Sequence, residues 1–239
     1  MKMITGRQTN LEEIQELAIN FLCIEMTETA VSPLVVQHPI FESAFYTFFN
    51  GRNAETVNLL EDKESLYRVQ QIYRRRILDA NSATDVYVII RKSYRLVFLK
   101  YTAPYLSKHD FSELLADAWV SSENPNDDVN VSIPTLIRWF KSTDKKALMV
   151  SDDYRIYQAL PDSFLIYRGV AVGRNPKGLS WTRNLHTAEW FAKRFDDKQN
   201  KGYIQAATVN KKDVFAYFNT RGEDEIVADS SKLKIQILK

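Results

Sequence analysis

The sequence holds a single cysteine, Cys23, so no intramolecular disulfide can staple the fold. Its three histidines, His38, His109 and His186, form no ligand spacing with that cysteine, and no metal site is expected. Glycine and proline number only seven each, and with 45% hydrophobic and 26% charged residues the composition is neither fibrous nor disordered. Lys and Arg total 32 against 30 Asp and Glu, and a net charge of +2 creates no global field that would draw nucleic acid or a membrane surface. The longest apolar stretch, Val86 to Tyr101, is interrupted by Arg91, Lys92, Arg95 and Lys100, whereas a span needs about 20 mostly uncharged residues. The start, MKMITGRQTNLEEIQ, lacks the basic and apolar regions of a secretory leader. A soluble, cytoplasmic protein without membrane partners is the expectation. Cys23 follows Ala18, Phe21 and Leu22 in an apolar helical pattern, which predicts a small buried hydrophobe.

Glycine is unevenly placed. Only Gly6 and Gly51 precede Gly169, while Gly173, Gly178, Gly202 and Gly222 follow it. Glycine is disfavoured within helices and collects at tight turns between strands, so a helical N-terminal region (1–150) and a β-rich C-terminal domain (151–239) are predicted. In the first, apolar spacing predicts a helix over Leu11–Thr29 capped by Thr9 or Asn10, a second over Phe41–Phe49 ended by Asn50 and Gly51, and a third over Glu55–Leu78. Ala83–Leu106 mixes both periodicities and is assigned to helix. Further helices are expected over Asp110–Trp119, after a Ser132 cap with Pro134 in the first turn, and over Asp152–Leu160. Arg74-Arg75-Arg76 and Asp127-Asp128 have solvated surface as their ordinary account. A calcium loop counted from Asn126 fails, because Ile137 stands where a bidentate Glu is required and the glycine is missing.

In the second region the strands are Phe164–Val170, Leu179–Arg183, Tyr203–Val209, Val214–Phe218, Glu225–Ala228 and Leu233–Leu238. One helix, Thr187–Phe195, lies among them, with Ala188, Phe191, Ala192 and Phe195 on one face. The class is α+β, with helices packed on a split, mostly antiparallel sheet. The junction Leu160-Pro161-Asp162-Ser163 is too short for a flexible linker, so the helical region is expected to pack directly on the sheet domain.

Three short elements stand at strand starts or turns: Tyr167-Arg168-Gly169, Gly178-Leu179-Ser180-Trp181-Thr182, and Gly222-Glu223-Asp224-Glu225-Ile226-Val227. Alternation puts Ser180 and Thr182 on one face with Trp181 opposite, and pairs Glu223 with Glu225 against Asp224. An arginine in the apolar strand Leu165-Ile166-Tyr167-Arg168 is costly to bury without an anion, and its planar fork suits phosphate or carboxylate. An internal ion pair would satisfy it equally. Serines near strand ends commonly serve the backbone, and paired glutamates near a turn are usually surface charge.

In this order, the three elements resemble the arginine, serine-x-serine/threonine, glutamate-x-glutamate signature of the cholera-toxin-like mono-ADP-ribosyltransferases. The resemblance runs from Phe164 to the end. GLSWTRNLHTAEWFAKRF (178–195) resembles the second core strand and its helix, and DVFAYFNTRGEDEIV (213–227) resembles a strand, the target-facing turn and the glutamate strand. Thr182 stands where many members have serine, and the hydroxyl is kept. The resemblance implies that NAD is the substrate, with no metal, and that ADP-ribose passes to a macromolecular acceptor, a protein arginine before a nucleic acid. Glu225 would stabilise the oxocarbenium-like ribose, Ser180 would orient it, and Glu223 would serve the acceptor. Arg168, with Tyr167 and Gly169, and the Ser180-Trp181-Thr182 stretch would hold NAD. Phe218, or else Tyr217, is the aromatic that would meet the target if it is not strand core, and Trp190 and Phe191 are expected to be core. Asp152–Leu160 is expected beside the NAD cleft. An NAD glycohydrolase and a non-catalytic binding module are the alternatives. A toxin or phage or defence effector, with an antitoxin or inhibitor as partner, is the implied context.

Overall fold

The computed structural model describes residues 8–238, so the first seven residues of the start read for a leader lie outside the described residues. The chain divides into two compact units, one ending at Asp110 and the other beginning at Phe111. The compact units thus divide 40 residues before the 150/151 division read from the sequence. The reason is physical: the helices after Phe111 bury their apolar faces on the C-terminal sheet and share its hydrogen bonds, as described below.

The first unit begins with α1 (Leu11–Leu22), whose N-cap is Asn10, with its side chain accepting from the Glu13 amide. The short pair β1 (Thr27–Glu28) and β2 (Val36–Gln37) is followed by a hairpin, β3 (Phe45–Asn50) and β4 (Asn53–Asn58), then α2 (Lys63–Leu78), α3 (Ala83–Tyr87) and α4 (Arg95–Thr102). The helix expected over Phe41–Phe49 does not form: residues 41–44 are irregular and strand begins at Phe45. Asn50-Gly51 does not stop a helix; it opens a two-residue hairpin turn with Gly51 at φ +60°, and the aromatic and Thr side chains of β3 suit a pleated surface. The third helix starts late because Asp62 caps it, accepting from the Glu64 and Ser65 amides. Arg74, Arg75 and Arg76 are exposed on α2. Cys23, expected buried, is exposed at the C-cap of α1, where the helix has already ended.

The second unit takes in most of α5 (Lys108–Ser121), then α6 (Ile133–Ser142), α7 (Lys145–Leu148) and α8 (Ser151–Ala159). Strands β5 (Ser163–Val170) and β6 (Ser180–Thr182), helix α9 (Leu185–Lys193) and strands β7 (Tyr203–Asn210), β8 (Val214–Phe218), β9 (Glu225–Ala228) and β10 (Gln236–Leu238) complete it. The strands form one antiparallel six-stranded sheet in the order β10-β7-β5-β6-β9-β8. Its two halves meet through one residue pair, Tyr167 with Thr182. On the β8 side the core is aromatic: Trp119 meets Phe140 edge to face, and Phe140 stacks on Phe215. Lys145 reaches the backbone carbonyls of Val214 and Phe215, and burial pulls its ammonium down to about 8. On the other side α9 lies against β5 so closely that a Cβ on Gly169 would stand 2.1 Å from the Ala188 carbonyl oxygen. Gly169 is explained by that approach. Among the described residues, no helix is long and apolar enough to cross a membrane.

Candidate active site

The three elements singled out in the sequence fall on neighbouring strands. Tyr167 on β5 pairs with Thr182 on β6, and Thr182 pairs with Glu225 on β9, so one row crosses the sheet where its halves join. Glu225 is buried, 7% exposed. Its Oε1 accepts from the Trp119 indole N–H at 3.0 Å, and Ser180 also hydrogen-bonds the carboxylate. Ser180 can do so because its oxygen already accepts from Asn126 Nδ2 at 3.0 Å, which leaves the hydroxyl proton for Glu225. Burial pushes the Glu225 carboxyl above the usual carboxylate range. The Ser180 and Trp119 hydrogen bonds and the charge of Arg221 oppose that rise, and the charge of Glu223 adds to it.

Arg168 shares the buried face of β5 with Ile166 and Val170. Its guanidinium donates from Nη1 to the Ser180 carbonyl at 2.6 Å and from Nη2 to the Asn175 carbonyl at 2.9 Å, tying the β5–β6 connection to the start of β6. Gly178 leaves room for it, since a Cβ there would lie 2.2 Å from Nη2 and displace the guanidinium. The buried Nε–H finds no acceptor among the described residues. Burial lowers the group to about 10, against the attraction of Asp127, Glu225 and Tyr203, so it stays cationic at neutral pH. Among the described residues Arg168 makes no ion pair of the kind weighed above: Nη1 and Nη2 donate to neutral carbonyls.

Glu223 reaches the same place by a different route from the one alternation predicts. Asp224 has φ +50°, a left-handed conformation, so β9 begins at Glu225 and Glu223 belongs to the preceding turn. Asp is among the non-glycine residues that adopt this conformation most readily. Here Arg183 grips its carboxylate in a fork of 2.8–3.1 Å, and the Asn219 side chain accepts its amide at 2.9 Å. Thr182 donates to the Glu223 carbonyl at 2.8 Å, so its hydroxyl positions the turn. The Glu223 carboxylate accepts from Arg221 Nη2 at 2.9 Å.

All eight residues proposed from the sequence, Tyr167, Arg168, Gly169, Ser180, Trp181, Thr182, Glu223 and Glu225, line one cleft within the second unit. Its cavity volume is about 120 Å³, smaller than the roughly 300–1,000 Å³ of most small-molecule sites, and the cleft continues into open space at its mouth. Trp181 lies deep in its wall, 2% exposed, with its indole N–H on the Ser230 hydroxyl. Sequence reasoning missed Trp119, Asn126, Arg174, Arg194 and Arg221, which also line it. Asn126 matters most, since its Oδ1 also accepts the Leu179 amide at 2.6 Å and so fixes the loop after α5 to β6. Trp119 and Asn126 carry no local signal, because each is defined by partners more than 50 residues away. One alternative is decided and two expectations are corrected. Tyr217 and Phe218 are buried in β8, the strand-core alternative; the exposed positions of the following turn are 219–222. Trp190, expected in the core, is 57% exposed because α9 turns only Ala188 and Ala192 fully inward. No residue of α8 lines the cleft; instead Asp153 holds the turn from below, accepting the Asn219 amide at 3.1 Å.

No protein-family model matches the chain, and no curated protein or solved structure matches it significantly. The chemistry must be read from the cleft itself. It offers a buried carboxylate held by two donors, a buried guanidinium with an unused donor, and a second carboxylate at the mouth. Together these can stabilise a cation at one point, bind an anion at another and accept a proton at a third.

Proposed function

We propose that the chain is an NAD-dependent mono-ADP-ribosyltransferase whose second unit is built like the cholera-toxin-like catalytic core. The observation that carries this reading is the convergence of Arg168, Ser180, Glu223 and Glu225 in one cleft, with Glu225 buried and oriented by Ser180 and Trp119. Breaking the bond between nicotinamide and ribose generates positive charge at the anomeric carbon, and an ionised carboxylate in a dry site is the group that stabilises it. Glu225 takes that role, and Ser180 positions it. The free Nε–H and charge of Arg168 suit the NAD diphosphate, and Tyr167, Gly169, Trp181 and Thr182 complete the wall. Glu223, nearer solvent, aligns the acceptor and takes its proton. An anionic group at that point favours an arginine as acceptor, and a protein arginine before a nucleic acid. A toxin or defence effector held in check by an inhibitor is the biological setting that fits such an enzyme.

The test is release of nicotinamide from NAD by the purified protein. Glu225→Gln is expected to reduce the rate about 100-fold or more, the scale of losing a preorganised electrostatic partner. No release by the unaltered protein removes the enzyme reading and leaves a binding module. Release without label on any macromolecule makes the protein an NAD glycohydrolase.

A further inference from the structure

We propose that Asn126 is a positioning residue for the buried carboxylate: its side-chain amide aims the Ser180 hydroxyl at Glu225, and Asn175 and Arg168 hold that amide in place. That Glu225 does chemistry rests on the NAD-cleaving reading above, whereas the aiming rests on hydrogen bonds alone.

The direction of each bond follows from a backbone group that has no choice. The Leu179 N–H can only donate, and it meets Asn126 Oδ1 at 2.6 Å, so the oxygen of the carboxamide lies on that side. Nδ2 must then face Ser180 Oγ, where it stands at 3.0 Å and can only donate. Ser180 therefore accepts from Asn126, and its own proton is directed to the Glu225 carboxylate. A carboxamide turned end for end would oppose two donors at Leu179 and would draw the Ser180 proton away from Glu225.

The amide is held by a closed ring. Asn175 Nδ2 donates to the Asn126 carbonyl at 3.3 Å, Arg168 Nη2 donates to the Asn175 carbonyl at 2.9 Å, and Arg168 Nη1 donates to the Ser180 carbonyl at 2.6 Å. The bond from Asn126 to Ser180 completes the circuit, which joins the loop after α5, strand β5, the β5–β6 connection and the start of β6. No member can turn without breaking a neighbour's bond. Gly178 lets the segments meet, since a Cβ there would stand 2.8 Å from Asn126 Cγ. The loop enters the ring already shaped: Pro125 is buried, and the Asp127 amide donates to the Asn124 carbonyl at 3.2 Å. Neither asparagine belongs to the three elements singled out in the sequence.

The experiment uses Asn126→Asp, which keeps the shape and the acceptor for Leu179 but puts an oxygen where Nδ2 stood. That oxygen takes the Ser180 proton, and Glu225 loses a donor. Glutamate carboxyls are titrated by NMR in the full-length, isotope-labelled protein before NAD is added, and Glu225 is assigned by its absence in Glu225→Gln. Glu225 should become about tenfold or more harder to ionise in Asn126→Asp, the scale of one hydrogen bond to a charged group. The new charge acts on Glu225 in any background, so the substitution is repeated in Ser180→Ala, where the shift should shrink to what the charge alone contributes. Asn126→Ala adds no charge and should make Glu225 about fivefold harder to ionise with Ser180 present, and change nothing without it. The acid limb of nicotinamide release should follow the titration. Equal shifts with and without Ser180, or no shift, overturn the inference, because a residue that only braces the loop leaves Glu225 where it was. Shifts as expected with no nicotinamide release by the unaltered protein uphold the aiming of Ser180 and remove the enzyme reading instead.

Discussion

Replacing Trp119 by Phe isolates one hydrogen bond and asks whether it sets the charge of Glu225. Trp119 is 1% exposed, and its ring meets Phe140 at 5.1 Å edge to face. Phenylalanine keeps an aromatic ring in that place and removes only the indole N–H and the second ring. The lost bond is the 3.0 Å donation to Glu225 Oε1. A hydrogen bond to a charged group contributes about 1.5–3 kcal/mol. At about 1.4 kcal/mol per tenfold change, the ionised carboxylate becomes roughly ten- to hundredfold harder to form. Burial already holds the Glu225 pKa high and the Trp119 bond opposes it, so losing that bond moves the pKa further up. On the proposed reading, nicotinamide release needs ionised Glu225, so its acid limb should move to higher pH. The loss should approach that full factor on the acid limb and vanish where Glu225 is ionised in both proteins. The assay is the pH profile of nicotinamide release by each protein, with folding confirmed by thermal melting. A packing defect alone would lower the rate equally at every pH, and that uniform loss, or an unmoved acid limb, would refute the assignment.

Three more outcomes are expected. Glu225 has a folded-state pKa raised above its unfolded value, so its proton stabilises the fold at low pH and that contribution is lost as pH rises through the raised value. Glu225→Gln should therefore melt higher than the unaltered protein at neutral pH, with the gap closing below the usual carboxylate range; a lower melting temperature at neutral pH contradicts this. Glu223→Gln should lose transfer to acceptors while keeping most NAD cleavage, and equal loss of both, followed by label transfer and nicotinamide release in one reaction, would end the division of labour. Residues 150–239 expressed alone lack Trp119 and Asn126 and should release no nicotinamide, whereas a fragment beginning at 111 keeps both; an active shorter fragment would show that the wall they form is dispensable.

The sheet was readable in the sequence because its strands are short runs rich in β-branched and aromatic residues bounded by glycine and polar turns. Val214–Phe218 and Glu225–Ala228 were placed to the residue, and β5 and β7 to within one. Helix α9 was recognised by its apolar face but displaced by two residues, since Asn184 rather than a later residue caps it. The hairpin β3–β4 was missed because an Asn-Gly pair ends helices as readily as it turns strands, and the aromatic run before it fits either period. The boundary at 110/111 could not be seen, because amphipathic helices read alike whichever surface they cover. Within the cleft, residue identities were readable but partnerships were not. Glu223 and Glu225 were placed together by strand alternation, yet alternation does not apply across Asp224, whose left-handed backbone depends on Arg183 and Asn219.

The way the buried charges are bonded separates a ligand site from a structural ion pair. A buried arginine and glutamate kept only for stability would be expected to meet directly, because each otherwise keeps a large desolvation cost. In this cleft they do not: Arg168 donates to the carbonyls of Ser180 and Asn175, and Glu225 accepts from Trp119 and Ser180. Neutral partners fix each group in place without cancelling its charge. Burial accordingly drives the arginine pKa down and the glutamate pKa up, so both groups are strained toward neutrality. A molecule carrying an anion at one end and a developing cation at the other would relieve both strains at once. The Nε–H of Arg168, still without an acceptor among the described residues, would give such a molecule its first point of attachment.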